Sequence, residues 1–216
     1  GVETPVTPVA TGIAMPEASP GARSRIRSQW GIADGAFLAI YAGRVAKEKR
    51  LDMLIDAFGR VRARAEAKLL IVGGGPAEAE IAERVRSAGL APDVTLTGRM
   101  PREVLPEYYA AADVFVYPSN TDTQALVLVE AMCLGLPCVA VRAFGPAEVV
   151  TDGASGLLVE FDAEALAHAV VRLADDPDLR SRLAAGARRR AADFSPAAMC
   201  DKLLSVYRQA GASTGL

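Results

Sequence analysis

The stretch PSNTDTQALVLVEAMCLGLPCVAV, Pro118 to Val141, decides how this chain folds. Just before it, Val114-Phe115-Val116-Tyr117 is a short apolar run rich in β-formers and bounded by Pro118, the pattern of a strand buried on both faces. Residues 119–123 are polar and favour turns and helix caps. The sequence then turns apolar at Leu126, Val127, Val129, Ala131, Met132 and Leu134. It stops at Gly135 with Pro137 close behind, which predicts a helix ended by glycine. Val139-Ala140-Val141 begins another strand. Strand, polar loop, helix and strand in that order make half of a doubly wound parallel sheet.

The loop places the backbone N–H groups of Ala125 and Leu126 at the C-terminal edge of that sheet, where a helix start favours anions. Asp122 precedes the helix and Glu130 follows eight positions later, inside an otherwise apolar segment. A carboxylate there is costly unless it has a partner. Two acceptors flanking an anion site suit a ligand with hydroxyls on both sides of a diphosphate, such as a nucleotide sugar. From the residues alone, a Glu130 on a solvated flank of the helix is the equal alternative.

Working outward, Phe37–Ala42 reads as the first strand, and Gly43-Arg44-Val45-Ala46-Lys47-Glu48-Lys49 follows it. No G-x-G-x-x-G is present, which argues against a dinucleotide fold of the usual kind. Arg44 and Lys49 flank a loop at the strand end, where a guanidinium and an ammonium suit a phosphate; a solvated basic loop is the competing reading. Residues 51–63 form an amphipathic helix with Leu51, Leu54, Ile55, Phe58 and Val61 on one face. Strands are expected at residues 68–72, 94–97 and 156–159. Helices are expected at 23–30, 77–88, 105–112, 145–150, 163–174, 177–192 and 196–209. A Rossmann-like α/β domain with a doubly wound parallel sheet of about six strands follows. The run Arg188-Arg189-Arg190 reads as a solvated face or a complement to a helix C-terminus.

Composition narrows the classes. Of 216 residues, 51% are hydrophobic, enough for a full core, and the net charge of −2 offers no bulk case for binding nucleic acid. The three cysteines, Cys133, Cys138 and Cys200, have no metal-ligand spacing, and Cys133 and Cys138 read as buried reduced thiols. No apolar stretch is long enough to span a bilayer. The single histidine, His168, reads as a surface residue.

The quoted segment resembles the signature of retaining glycosyltransferases of family four (glycosyl transferases group 1), which have the GT-B fold. That signature is E-x7-E followed by A-M-x-x-G-x-P-V-V-A; here it reads D-T-Q-A-L-V-L-V-E and then A-M-C-L-G-L-P-C-V-A. Asp122 stands where Glu is usual and Ala125 where Gly is usual. The segment G-R-V-A-K-E-K matches the family's diphosphate-binding G-R-x-x-x-E-K, V-G-G-G-P its V-G-x-G-P, and T-G-R-M its T-G-x-V/M. The match runs from about Val9 to Tyr207.

The resemblance implies that Arg44, Lys49 and the Ala125 and Leu126 amides meet the diphosphate, with Gly43, Gly73, Thr123 and Gln124 around them. It implies that the Met100 backbone meets the nucleobase, that Glu130 accepts from the ribose, and that Asp122 accepts from the donor sugar. It implies transfer of a hexose from a UDP- or GDP-linked sugar, with retention, to an acceptor hydroxyl on a lipid or saccharide, and no cofactor. A family enzyme has two such domains. The chain therefore reads as the C-terminal, donor-binding half, inactive in transfer by itself. Its missing partner is an N-terminal acceptor-binding domain through which a peripheral membrane association would run. The implied location is cytoplasmic, at the inner face of the membrane. Residues 1–20 read as a loosely held hinge remnant, 21–195 as the nucleotide-sugar domain, and 196–216 as a weakly anchored C-terminal helix and tail. A non-catalytic nucleotide-sugar-binding module is the first alternative. A nucleotide-sugar 2-epimerase is the second, although those enzymes lack the combination of R-x4-K and E-x7-E.

Overall fold

The computed structural model of the chain describes residues 6–214, so the outermost parts of the hinge and tail segments lie outside the described residues. Six parallel strands form one sheet: β1 (Phe37–Ala42), β2 (Ala67–Val72), β3 (Val94–Leu96), β4 (Val114–Tyr117), β5 (Cys138–Val141) and β6 (Gly156–Val159). Their spatial order is β3-β2-β1-β4-β5-β6. The order reverses between β1 and β4, and in open α/β sheets a ligand crevice lies at such a switch point, beyond the strands' carboxyl ends. β1 pairs with β2 from Phe37 opposite Ala67 to Ala42 opposite Val72, and with β4 through Ala39–Val114 and Ile40–Phe115.

Helices cover both faces, which is why β1, β4 and β5 are buried along their whole length and read as continuous apolar runs. They are α1 (Ala22–Gln29), α2 (Leu51–Arg62), α3 (Glu78–Ser87), α4 (Leu105–Ala111), α5 (Leu126–Cys133), α6 (Phe144–Val149), α7 (Ala163–Asp175), α8 (Pro177–Ala191) and α9 (Pro196–Thr214). The apolar face expected on α2 is buried in full, and Met53 and Ala57 join it. Helix α5 ends as the sequence predicts. Gly135 takes φ +74°, its N–H donates to the Met132 carbonyl at 2.9 Å, and the Leu136 N–H donates to Ala131 at 3.1 Å. That pair of bonds closes the orphan carbonyls of the last turn.

Two expectations change and a third is extended. The hinge segment is held: Ile13 is buried and its N–H donates to the Phe194 carbonyl at 2.9 Å, while Gly12 lies so close to the start of α9 that a Cβ would sit 2.8 Å from the Pro196 Cα. The start of α9 shares that anchorage, whereas Leu204 and Tyr207 further along are exposed. The arginine run lies in the last turn of α8 with Arg188 and Arg189 exposed, as its two readings have it, and two of its members also bond to other helices' ends. Arg188 donates to the Leu134 carbonyl at 3.1 Å, and Arg190 donates to the Val149 carbonyl at 3.1 Å. These cap α5 and α6, whose last carbonyls have no partner inside the helix. Cys138 is buried, but Cys133 is only half-buried, and burial pushes its thiol up to about 11.

Candidate nucleotide-sugar cleft

The strand switch point puts the loop after β1 beside the loop after β4. A cleft of about 400 Å3 opens there, lined by Gly43, Arg44, Lys49 and residues 122–126. A second cleft of about 270 Å3 continues from it over β2 and is lined by Gly43, Arg44, Gly73, Arg99 and Met100. All the residues the sequence points to therefore line one trough, except Glu130. Gly73 belongs there for a backbone reason. At φ +133° its Cα lies against β1's end, and a Cβ would sit 2.0 Å from the Gly43 carbonyl oxygen.

The start of α5 has an unusual residue. Ala125 caps the helix in the left-handed region, at φ 46° and ψ 43°. Among the described residues the Ala125 and Leu126 amides find no acceptor within the chain, so both are available to a ligand at the helix start. Left-handed backbone costs an L-residue about 1–2 kcal/mol, partly offset by the smaller unfolded-state entropy of Ala relative to Gly, about 0.4–1 kcal/mol. Ala125→Gly is therefore expected to raise stability by about 0.5–1 kcal/mol. A urea denaturation midpoint checks this, and a lowered midpoint would contradict it.

Two cations of the trough, Arg44 and Lys49, are already paired. Arg44, 63% exposed at its side chain, donates to Glu48 one turn on. Lys49 and Asp122, 18% and 22% exposed, form an ion pair across the first cleft. Asp122 is crowded with donors. Lys49 holds Oδ1, while the Tyr117 hydroxyl, at 2.5 Å, and the Ser119 hydroxyl hold Oδ2. Burial works against ionisation of Asp122, but the bonds from Lys49, Ser119 and Tyr117 outweigh it and hold the carboxyl below the usual carboxylate range. Burial, reinforced by Asp122, pushes Tyr117 far up, so the phenol stays protonated and donates. Tyr41 stacks on Tyr117 with ring centres 6.5 Å apart, and its hydroxyl donates to the Arg44 carbonyl at 3.0 Å.

Glu130 is neither solvated nor orphaned. Its side chain is 14% exposed and is held by the Arg102 guanidinium, with the Tyr109 hydroxyl at 3.4 Å. Arg102 sits in the 3-10 turn directly after Met100 and Pro101, so Glu130 lies at the Met100 end of the trough. Thr123 and Gln124 lie exposed on the rim, where the Gln124 amide oxygen accepts from the Thr11 hydroxyl at 3.0 Å. A groove of about 690 Å3 adjoins the first cleft and shares Thr123, Gln124 and Leu126 with it. Sequence reading missed Tyr41, Tyr117, Ser119 and Arg102. The signal for the tyrosines was present: a phenol near the carboxyl end of an otherwise apolar buried strand needs a partner for its hydroxyl. For Ser119 and Arg102 no sequence signal distinguished them from ordinary loop polarity.

The family model for glycosyl transferases group 1 matches residues 22–190. The chain is 33% identical over 192 residues to the alpha-D-kanosaminyltransferase of Streptomyces kanamyceticus, covering 88% of this chain and 50% of that one. It is 33% identical over 229 residues to the D-inositol 3-phosphate glycosyltransferase of Salinispora arenicola, covering 98% and 51%. It thus spans about half the length of the curated relatives it matches. Among solved structures, sucrose-phosphate synthase from Thermosynechococcus elongatus superposes with a TM-score of 0.78 at 31% identity, covering 95% of this chain and 52% of that one. Anabaena HepE in complex with UDP and glucose shares the fold with a TM-score of 0.79 at 24% identity, covering 89% and 53%. Among the described residues no helix is long and apolar enough to cross a membrane.

Proposed function

Because this chain belongs to the family of glycosyl transferases group 1, we propose that it is the nucleotide-sugar-binding half of a retaining glycosyltransferase, which moves a hexose from a nucleotide diphosphate sugar to an acceptor hydroxyl. The observation that carries this is the first cleft. It gathers Arg44, Lys49 and the acceptor-free amides at the start of α5 around one space. Charge grows on the diphosphate as it leaves, and preorganised donors stabilise that charge without reorganising. Glu130, at the Met100 end, is placed for ribose hydroxyls once Arg102 yields. The base then lies over Gly73 and Met100, and the sugar lies toward Asp122. The groove beside Thr123, Gln124 and Leu126 is the side from which an acceptor approaches. Relatives named as glycosyltransferases, and a similarly folded protein bound to UDP and glucose, support the same donor class.

Titration calorimetry of this chain with uridine, UDP, guanosine and GDP tests the reading. One diphosphate is expected to bind at least tenfold more tightly than its own nucleoside, since each charge-assisted bond to a phosphate contributes about 1.5–3 kcal/mol. Equal affinity of nucleoside and diphosphate, or no binding of either base, would remove the function.

A further inference from the structure

The two oxygens of Asp122 are held differently. Oδ2 accepts from Tyr117 at 2.5 Å and from Ser119, both on short, buried stretches of chain: Tyr117 is 3% exposed and Ser119 0%. Among the described residues Oδ1 accepts from Lys49 alone, a long flexible side chain that the proposed function also places at the phosphates. The carboxylate is thus clamped on one side and released by a single movement on the other. The backbone beneath it is fixed too, since the Asp122 carbonyl accepts from the Gly145 N–H at 3.0 Å.

We infer that Tyr117 and Ser119 are positioning residues for the sugar. They keep Asp122 turned so that Oδ1, vacated when the diphosphate draws Lys49 away, accepts a hydroxyl of the bound hexose. The inference rests on the nucleotide-sugar reading of the cleft and deepens it. It also answers how an aspartate serves where its family has the longer glutamate: the carboxylate is aimed by two fixed hydroxyls and does not have to reach. Nucleotide diphosphate and sugar are then read by different atoms, coupled through Lys49. The groups facing Asp122 are Lys49 from the turn before α2, Tyr117 and Ser119 at the end of β4 and Tyr41 from β1, with Arg44 and Glu48 set against Tyr41. The α6 side offers Gly145, which carries no charge.

The test compares UDP with UDP-glucose, and GDP with GDP-glucose, by titration calorimetry of this chain and its Tyr117→Phe, Ser119→Ala and Asp122→Asn variants. Melting curves run alongside; Tyr117→Phe keeps the ring that stacks on Tyr41. Wild type is expected to bind the sugar-bearing form more tightly than the diphosphate. Tyr117→Phe and Ser119→Ala are each expected to reduce that gain roughly fivefold, with diphosphate affinity within about twofold. Asp122→Asn removes the gain's dependence on pH. With Tyr117 lost, Asp122 keeps one fewer donor, its proton binds at higher pH, and the sugar-dependent gain fades at higher pH than in wild type as acid is added from about pH 7 to 4. A residue that only supported the fold would not shift that limb. Equal loss for diphosphate and sugar form, an unmoved acid limb, or no gain from the sugar in wild type would each overturn the inference while leaving the nucleotide reading in place. Wild type that binds neither diphosphate overturns both.

Discussion

Lys49→Ala is expected to weaken nucleoside diphosphate binding by roughly ten- to a hundredfold while nucleoside binding stays within about twofold. The ammonium is the compact charge of the first cleft, mostly buried and aimed across it at Asp122. On the proposed function, losing it removes charge-assisted bonds to phosphate oxygens and nothing from the base or ribose. The substitution also leaves Asp122 without the one charged partner it has among the described residues. Both groups keep about a fifth of their surface in water, so the stability loss is discounted to about 1–2 kcal/mol from the 3–5 kcal/mol of a fully buried pair. Lys49→Ala with Asp122→Asn removes the stranded charge and is expected to recover most of that stability without recovering phosphate affinity. Titration with UDP and uridine, or GDP and guanosine, beside denaturation curves separates the two roles. Equal weakening of nucleoside and diphosphate would place Lys49 away from the phosphates. Arg44→Ala should follow the same selectivity with less effect on stability, within about 0.5 kcal/mol, because its pairing with Glu48 is exposed.

Arg27→Ala is expected to cost about 3–5 kcal/mol of stability, the largest effect outside the cleft. Arg27 is 0% exposed. Its guanidinium donates to the carbonyls of Ala111, Ala33, Asp34 and Ala36 at 2.8–3.0 Å and to Asp113 Oδ2 at 2.7 Å. The same Asp113 oxygen accepts from the Leu38 N–H at 2.8 Å. One planar fork thus ties α1, the end of α4 and the starts of β1 and β4 together, at the edge of the sheet away from the trough. Arg27→Lys is not expected to rescue it, because a point charge with three donors does not reproduce five fixed N–H directions. Guanidinium denaturation measures the loss, and a cost below about 1 kcal/mol would show that Arg23, which pairs with the other Asp113 oxygen, suffices. Diphosphate affinity of the folded variant should be unchanged.

These two arginine and lysine sites mark where sequence reading stops. Within α1, Arg23, Arg25 and Arg27 are alike in a basic octad, and nothing local says which one is buried. Periodicity reports how a segment divides between core and water, so it located α2's face, the apolar β1 and β4, and the glycine stop of α5. Motif spacing added the loops at the strand ends, and with them Arg44, Lys49, Asp122 and Glu130.

By itself the sequence determined the alternation of strand and helix, the parallel sheet, and the set of residues that gathers at its carboxyl edge. The tertiary structure decided which of them meet. Lys49 pairs with Asp122 across 73 positions, and Glu130 with Arg102 across 28, because β1 lies next to β4 and the turn after Met100 comes to rest against α5. Such partners are set by strand order and helix packing, which depend on the burial of the whole sheet. An ionic or hydrogen-bonded pair leaves no periodic trace in either segment. The same reason hid Ser119 and the partner of the Tyr117 hydroxyl, which meet only where the folded loop brings an aspartate back over the strand it has just left.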